Sequence, residues 1–153
     1  MVHLAEANTF LADPAKYLEA ARKSGDASAR QHLENIIQVL DTERCTTFEE
    51  CITLTRRRFN EYFYNKIAQL TYTFPEDSKT SSGCSFWSAP KRFPSVVAFN
   101  GADASHANFA QSGSILFAEM YGVSQPSWAS ETAKVASAAN DVNVRVLLLA
   151  ALH

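Results

Sequence analysis

Thr47-Phe48-Glu49-Glu50-Cys51-Ile52-Thr53-Leu54-Thr55-Arg56-Arg57-Arg58-Phe59-Asn60-Glu61-Tyr62-Phe63 sets the class of the fold. Thr47 and Glu50 have the spacing of a capping box, in which a hydroxyl and a carboxylate satisfy the free amides of a first helical turn. Behind them Phe48, Cys51, Ile52, Thr55, Phe59, Tyr62, Phe63, Ile67, Leu70 and Phe74 recur at threes and fours, the period of one helix face. The pattern predicts one helix of about seven turns, ended by Pro75, with Arg56, Arg57, Glu61 and Lys66 on the opposite face.

The flanking sequence repeats the theme. Asp13-Pro14 reads as N-cap and first helical residue, and Gly25 as the stop. A second helix is expected from Ser28 to about Leu40, with Leu33, Ile36, Ile37 and Leu40 on one face. After the long helix, another is expected over residues 105–121, with His106, Phe109, Gly113, Leu116, Phe117 and Met120 inward and Gly122 as the stop. A shorter one covers residues 127–139 and carries Trp128, Ala133, Val135 and Ala136. No strand pattern competes. The expected class is all-α: a compact helical domain of about five helices with one long ordered loop.

That loop spans residues 75–101. It contains Phe86-Trp87-Ser88-Ala89-Pro90-Lys91-Arg92-Phe93-Pro94, which has neither helical nor strand period. Pro90 and Pro94 fix their own φ and extend the residues before them. Leaving Phe86, Trp87 and Phe93 in water forfeits roughly 1.5–3 kcal/mol each. An ordered loop pinned to the helical body is therefore expected, and a loop this long in a compact domain usually carries function.

The chain has 153 residues, 46% of them hydrophobic, which suits one compact domain and is too apolar for disorder. A net charge of −2 gives no reason to expect nucleic acid or an anionic membrane as partner. No apolar run reaches the ~18 residues of a membrane span, and Met1-Val2-His3-Leu4-Ala5-Glu6 has no signal-peptide character. Past Val144 the run Arg145-Val146-Leu147-Leu148-Leu149-Ala150-Ala151-Leu152-His153 has no polar face. Residues 145–153 read as a vector-encoded or frameshifted tail.

Phe74-Pro75-x-Asp77, Thr80-Ser81-x-Gly83, Phe86-Trp87-Ser88-x-Pro90-Lys91-Arg92-x-Pro94 and Phe99 together resemble the ubiquitin-activating enzymes. Phe48-Glu49-Glu50-Cys51-Ile52 with Phe59, Tyr62 and Phe63 also looks like that family, as does His106…Phe109…Tyr121-Gly122. The similarity runs over residues 5–144 and implies part of the second catalytic-cysteine half-domain. The resemblance further implies a parent enzyme, an ATP-dependent ligase acting in cytoplasm and nucleus, with ATP and magnesium as cofactors. Its implied partners are ubiquitin, ubiquitin-conjugating enzymes and the adenylation domains of the same chain.

No catalytic, cofactor-binding or metal-binding residue is assigned within this chain. The family's nucleophile sits in a Cys-Thr-x-Lys type motif that is absent here. Cys45, Cys51 and Cys84 have no zinc-like spacing, and Cys51 falls on the apolar helix face. No phosphate-cradling glycine loop occurs. Arg56-Arg57-Arg58 is splayed around a helix and flanked by Glu49, Glu50 and Glu61, which reads as a solvated face. His106 reads as a cap or core contact. The candidate partner-binding or loop-shaping residues are Phe86, Trp87, Lys91 and Arg92. The two cations suit a partner carboxylate or a helix C-terminus within the domain. The enzyme-fragment reading implies a piece that shapes the thioester site and is inactive alone; the alternative is a stand-alone helical protein-interaction module.

Overall fold

The computed structural model describes residues 4–25 and 28–144, so the expectation for the tail at 145–153 lies outside the described residues. The chain divides into two compact units between Arg44 and Cys45. Ala7, Ile36 and Val39 are the buried apolar residues of the first unit.

In the first unit, α1 (Leu4–Ala12) was not foreseen, since no capping residue marks its start. It leads into α2 (Pro14–Ser24). Asp13 caps α2 by accepting from the Lys16 amide at 3.0 Å, and Gly25 takes the left-handed conformation (φ 57°) that ends it. The Phe10 and Tyr17 rings meet edge to face at 5.8 Å and tie α1 to α2. α3 (Ser28–Ile37) runs into a wider π-type turn, Gln38–Thr42. That turn changes the phase of the buried face. Ile36 and Val39 are buried, while Ile37, expected to face inward, is 58% exposed.

The second unit is built on α4 (Phe48–Asn60). Its capping box is present as read: Thr47 Oγ1 accepts from the Glu50 amide at 3.2 Å, and Glu50 accepts from the Thr47 amide at 3.3 Å. Glu50 also accepts from the Thr46 amide and hydroxyl at 2.7 and 2.9 Å. The rod continues past Asn60 through a π-type turn, Glu61–Asn65, into α5 (Lys66–Thr73). The expected seven-turn helix is thus one rod with a change of phase. The first half obeys the apolar pattern: Phe48, Cys51, Ile52, Thr55 and Phe59 are buried. The second half does not, since Tyr62, Phe63, Leu70 and Phe74 stand at the surface. The wider turn, closed by i→i+5 bonds, holds more than 3.6 residues and breaks the register, so one stripe cannot stay inward along the whole rod.

α6 (Ala104–Tyr121) starts at Asp103, which accepts from the Ser105 and His106 amides at 2.8 and 3.1 Å, and stops at Gly122 with φ 67°. Its buried stripe is Ala107, Ala110, Ser114 and Ala118. Leu116, expected inward, is 55% exposed. Small residues win this face because α6 packs tightly on α4. A Cβ built on Gly113 falls 2.5 Å from Thr55 Cγ2, so only glycine fits that crossing. The helix expected over 127–139 is two pieces, a 3₁₀ turn Ser127–Ser130 and α7 (Thr132–Asp141). Phe48, Cys51, Ile52, Leu54, Ala110, Ala118, Ala129, Val135 and Ala139 form the centre of this unit, and Trp128 closes it with an edge-to-face contact to Phe48 at 5.4 Å. Among the described residues there are six helical rods and no strands, an all-α architecture.

Candidate functional site

The loop between α5 and α6 is held at both ends. At its start, the Trp87 indole N–H donates to the Phe74 and Pro75 carbonyls at 2.9 and 3.1 Å. Phe74 is the C-cap of α5, so the indole satisfies a carbonyl at the helix end, while the Pro75 carbonyl beyond it also accepts from the Ser78 amide at 3.0 Å. Trp87 thus sits at the end of the long rod. Phe74 stacks on Phe86 at 4.5 Å and 4°, Phe86 meets Trp87 edge to face at 5.0 Å, and Trp87 meets Phe93 at 5.3 Å. Four rings thus form one ladder. Phe86 and Trp87 are half-buried and Phe93 remains exposed, so the burial expected of Phe93 is not reached.

Between these rings the backbone folds on itself. The Thr80 amide donates to the Cys84 carbonyl and the Phe86 amide to the Ser78 carbonyl, both at 2.8 Å. Gly83 supplies the positive φ of 81° that the tight reversal requires. The Ala89–Pro90 peptide bond is cis.

At the far end, the Val97 amide donates to the Phe63 carbonyl at 2.8 Å, within the π-type turn of the rod. Phe59, Phe63, Phe99, Phe109 and His106 then pack as a cluster with ring centroids 4.7–5.8 Å apart. His106 Nδ1 accepts from the Asn100 amide at 3.1 Å, which makes it a core contact as expected. The Gly101 amide donates to Asn140 at 3.0 Å and fastens the loop to α7. These anchors were missed from sequence. The Asn100-Gly101-Ala102-Asp103 turn was the available signal, since the Asn100 side chain accepts from the Ala102 amide and Asp103 caps α6.

The two candidate cations part company. Lys91 Nζ sits 4.5 Å above the Phe86 ring, so it completes the ladder as a cation–π contact. Arg92 is exposed and has no hydrogen bond, ion pair or ring contact among the described residues. The arginine triplet also corrects the reading of a solvated face. Arg57 is exposed and Arg58 pairs with Glu61 at 2.7 Å. Arg56 lies half-buried under Phe99, 4.7 Å from the ring centroid, and its Nε and Nη1 are buried without a hydrogen-bond partner. Loss of solvent lowers its pKa.

Cys51 is fully buried, and burial pushes its thiol pKa up. Cys45 is buried and Cys84 is exposed. Among the described residues no three His, Cys, Asp or Glu side chains gather as a metal group, and no helix is long and apolar enough to cross a membrane. The arrangement is that of an aromatic loop, anchored at both ends, in which the Arg92 guanidinium has no partner among the described residues.

The family model described as "Ubiquitin-activating enzyme, SCCH domain" matches residues 2–147. Over 140 residues, 92% of the chain, the sequence is 49% identical to "Ubiquitin-activating enzyme E1 2" of Arabidopsis thaliana. It is 50% identical over 136 residues, 89% of the chain, to "Ubiquitin-activating enzyme E1 1" of Triticum aestivum. To "Ubiquitin-like modifier-activating enzyme 1" of Homo sapiens it is 33% identical over 116 residues, 76% of the chain. The chain spans 13% of the length of the two plant proteins and 11% of the human one.

Proposed function

The chain belongs to the ubiquitin-activating enzymes, within their SCCH domain, and from that premise we propose that it is the part of such an enzyme that walls the ubiquitin thioester site and presents a transfer surface. The observation that carries this is the match across residues 2–147, which includes the whole loop between α5 and α6. It favours an enzyme fragment over a stand-alone interaction module. The longer polypeptide activates the ubiquitin C-terminus with ATP and magnesium, takes it onto a cysteine and passes it to a conjugating enzyme. No residue of this chain is assigned to magnesium or ATP. Their place is in the adenylation domains of the same polypeptide, in cytoplasm and nucleus.

In this reading Phe86, Trp87 and Lys91 shape the loop and Arg92 meets a carboxylate on ubiquitin or on the conjugating enzyme. The site of attack is not on Cys45 or Cys51, which are buried. The test uses the whole enzyme that contains these residues. Arg92→Ala is expected to slow ubiquitin transfer severalfold while leaving ATP–pyrophosphate exchange, the readout of adenylate formation, unchanged. Equal rates in both steps for Arg92→Ala and the parent enzyme overturn the transfer-surface role. A thiol-sensitive ubiquitin adduct on the isolated chain overturns the assignment of no catalytic residue.

A further inference from the structure

We propose that Ser95 is a phosphorylation site, recognised by an ATP-dependent protein kinase of the class that selects basic residues ahead of the acceptor. The argument begins with spacing. Only Arg44 and Arg92 among the chain's arginines have a serine or threonine three residues later, Thr47 and Ser95. The structure separates the two. Thr47 Oγ1 is engaged as the cap of α4, on the first turn of a helix. Ser95 is exposed, its hydroxyl has no partner among the described residues, and the backbone from 91 to 100 belongs to no helix, strand or turn. A kinase threads its acceptor as an extended segment, and this one is already extended by Pro94 in front of the serine.

The cations are arranged for such reading. Lys91 is held on the Phe86 ring, whereas Arg92 is free to place its planar fork on a carboxylate of the kinase. The serine Oγ attacks the γ-phosphorus of ATP, its proton passes to a base of the kinase, and the bond to ADP breaks. The product carries close to two negative charges at neutral pH. They arrive beside Phe93, Val96 and Val97, which are exposed and apolar. The modification therefore turns an apolar strip within the loop into an anionic one. It is independent of the proposed ubiquitin chemistry, because its test uses no ubiquitin.

The 153-residue chain is incubated with magnesium, ATP and the catalytic subunit of a cyclic-AMP-dependent kinase, and phosphate is mapped by peptide mass spectrometry. Ser95 is expected to take most of the phosphate, and Ser95→Ala to remove it. Arg92→Ala, with an unchanged circular dichroism spectrum, is expected to lower the initial rate at least about tenfold through loss of a charge-assisted fork. Lys91→Ala is expected to lower it less. No incorporation, phosphate chiefly on another hydroxyl, or an undiminished rate in Arg92→Ala overturns the proposal.

Discussion

Replacing Gly113 by alanine tests how α4 and α6 are fitted together. On an exposed helix the change gains about 1 kcal/mol, because alanine is the better helix former. Here the new methyl lies 2.5 Å from Thr55 Cγ2 and 3.2 Å from Thr55 Oγ1, well inside ordinary van der Waals contact. Thr55 has little freedom to turn aside. It is 1% exposed, and its hydroxyl donates to the Cys51 carbonyl at 2.8 Å. Overpacking at a fixed site costs typically 1–3 kcal/mol, and the tightness of this contact places it at the upper end. The net expectation for Gly113→Ala is a loss of about 2 kcal/mol. Urea unfolding followed by the fluorescence of Trp87 and Trp128 measures it. Thr55→Ser removes the obstructing methyl, so in that background Gly113→Ala is expected to be neutral or stabilising, a coupling of about 2–3 kcal/mol. A stabilised Gly113→Ala single variant, or equal effects in the two backgrounds, refutes the close-approach argument.

The Glu50 carboxyl is held below its usual range chiefly by the Thr46 amide and hydroxyl; a lowered folded pKa gives stability that is present above about pH 4.5 and lost as pH falls through the folded value. The melting temperature of Glu50→Gln should therefore depend less on pH below that point than the parent chain's, and parallel curves would show that the cap is not linked to protonation. Trp87→Phe keeps most of the ladder but leaves the Phe74 and Pro75 carbonyls without the indole N–H; a loss of about 0.5–1.5 kcal/mol is expected for a hydrogen bond at a half-buried site, and Trp87→Ala should cost more because the ring contacts go too. Unchanged unfolding of both variants would mean that the loop holds without its tryptophan. In timed alkylation read by mass spectrometry, Cys84 should label well before Cys51, given the exposure of one and the burial of the other; the reverse order would contradict the packing of α4.

The parts of this fold that a short window of sequence controls were legible before any coordinates. Asp13-Pro14, the Thr47–Glu50 box and Gly122 act within one helical turn, and each stands where its chemistry predicts. The misreadings are of another kind. Ile37, Tyr62, Phe63 and Leu116 have the right spacing and the wrong surroundings: Tyr62 and Phe63 lie in a wider turn, Leu116 follows a glycine-mediated crossing, and Ile37 sits on the side of α3 that meets no neighbour. Those are tertiary facts. The loop between α5 and α6 was legible as an ordered aromatic segment, but its anchors were not. The Val97–Phe63 bond joins backbone groups 34 positions apart that every residue carries, and the Gly101 amide reaches the Asn140 side chain 39 positions away. Side-chain type also cannot tell that Lys91 is spoken for and Arg92 is not.

The wide turn at Glu61–Asn65 makes the rod an indexing device. Each residue in a helix advances its direction by about 100°. Removing one residue from that turn would keep α4 in place and rotate α5 by about that angle, carrying Leu70 and Phe74 to a different side of the rod. Phe74 is the first ring of the ladder and, with Pro75, receives the indole of Trp87. The loop would have to swing with it, while its other end stays fastened to Phe63, His106 and Asn140. The heading of the loop is thus set by residue count inside a helix. A change of length at this turn would point the same motif toward a different side of the rod.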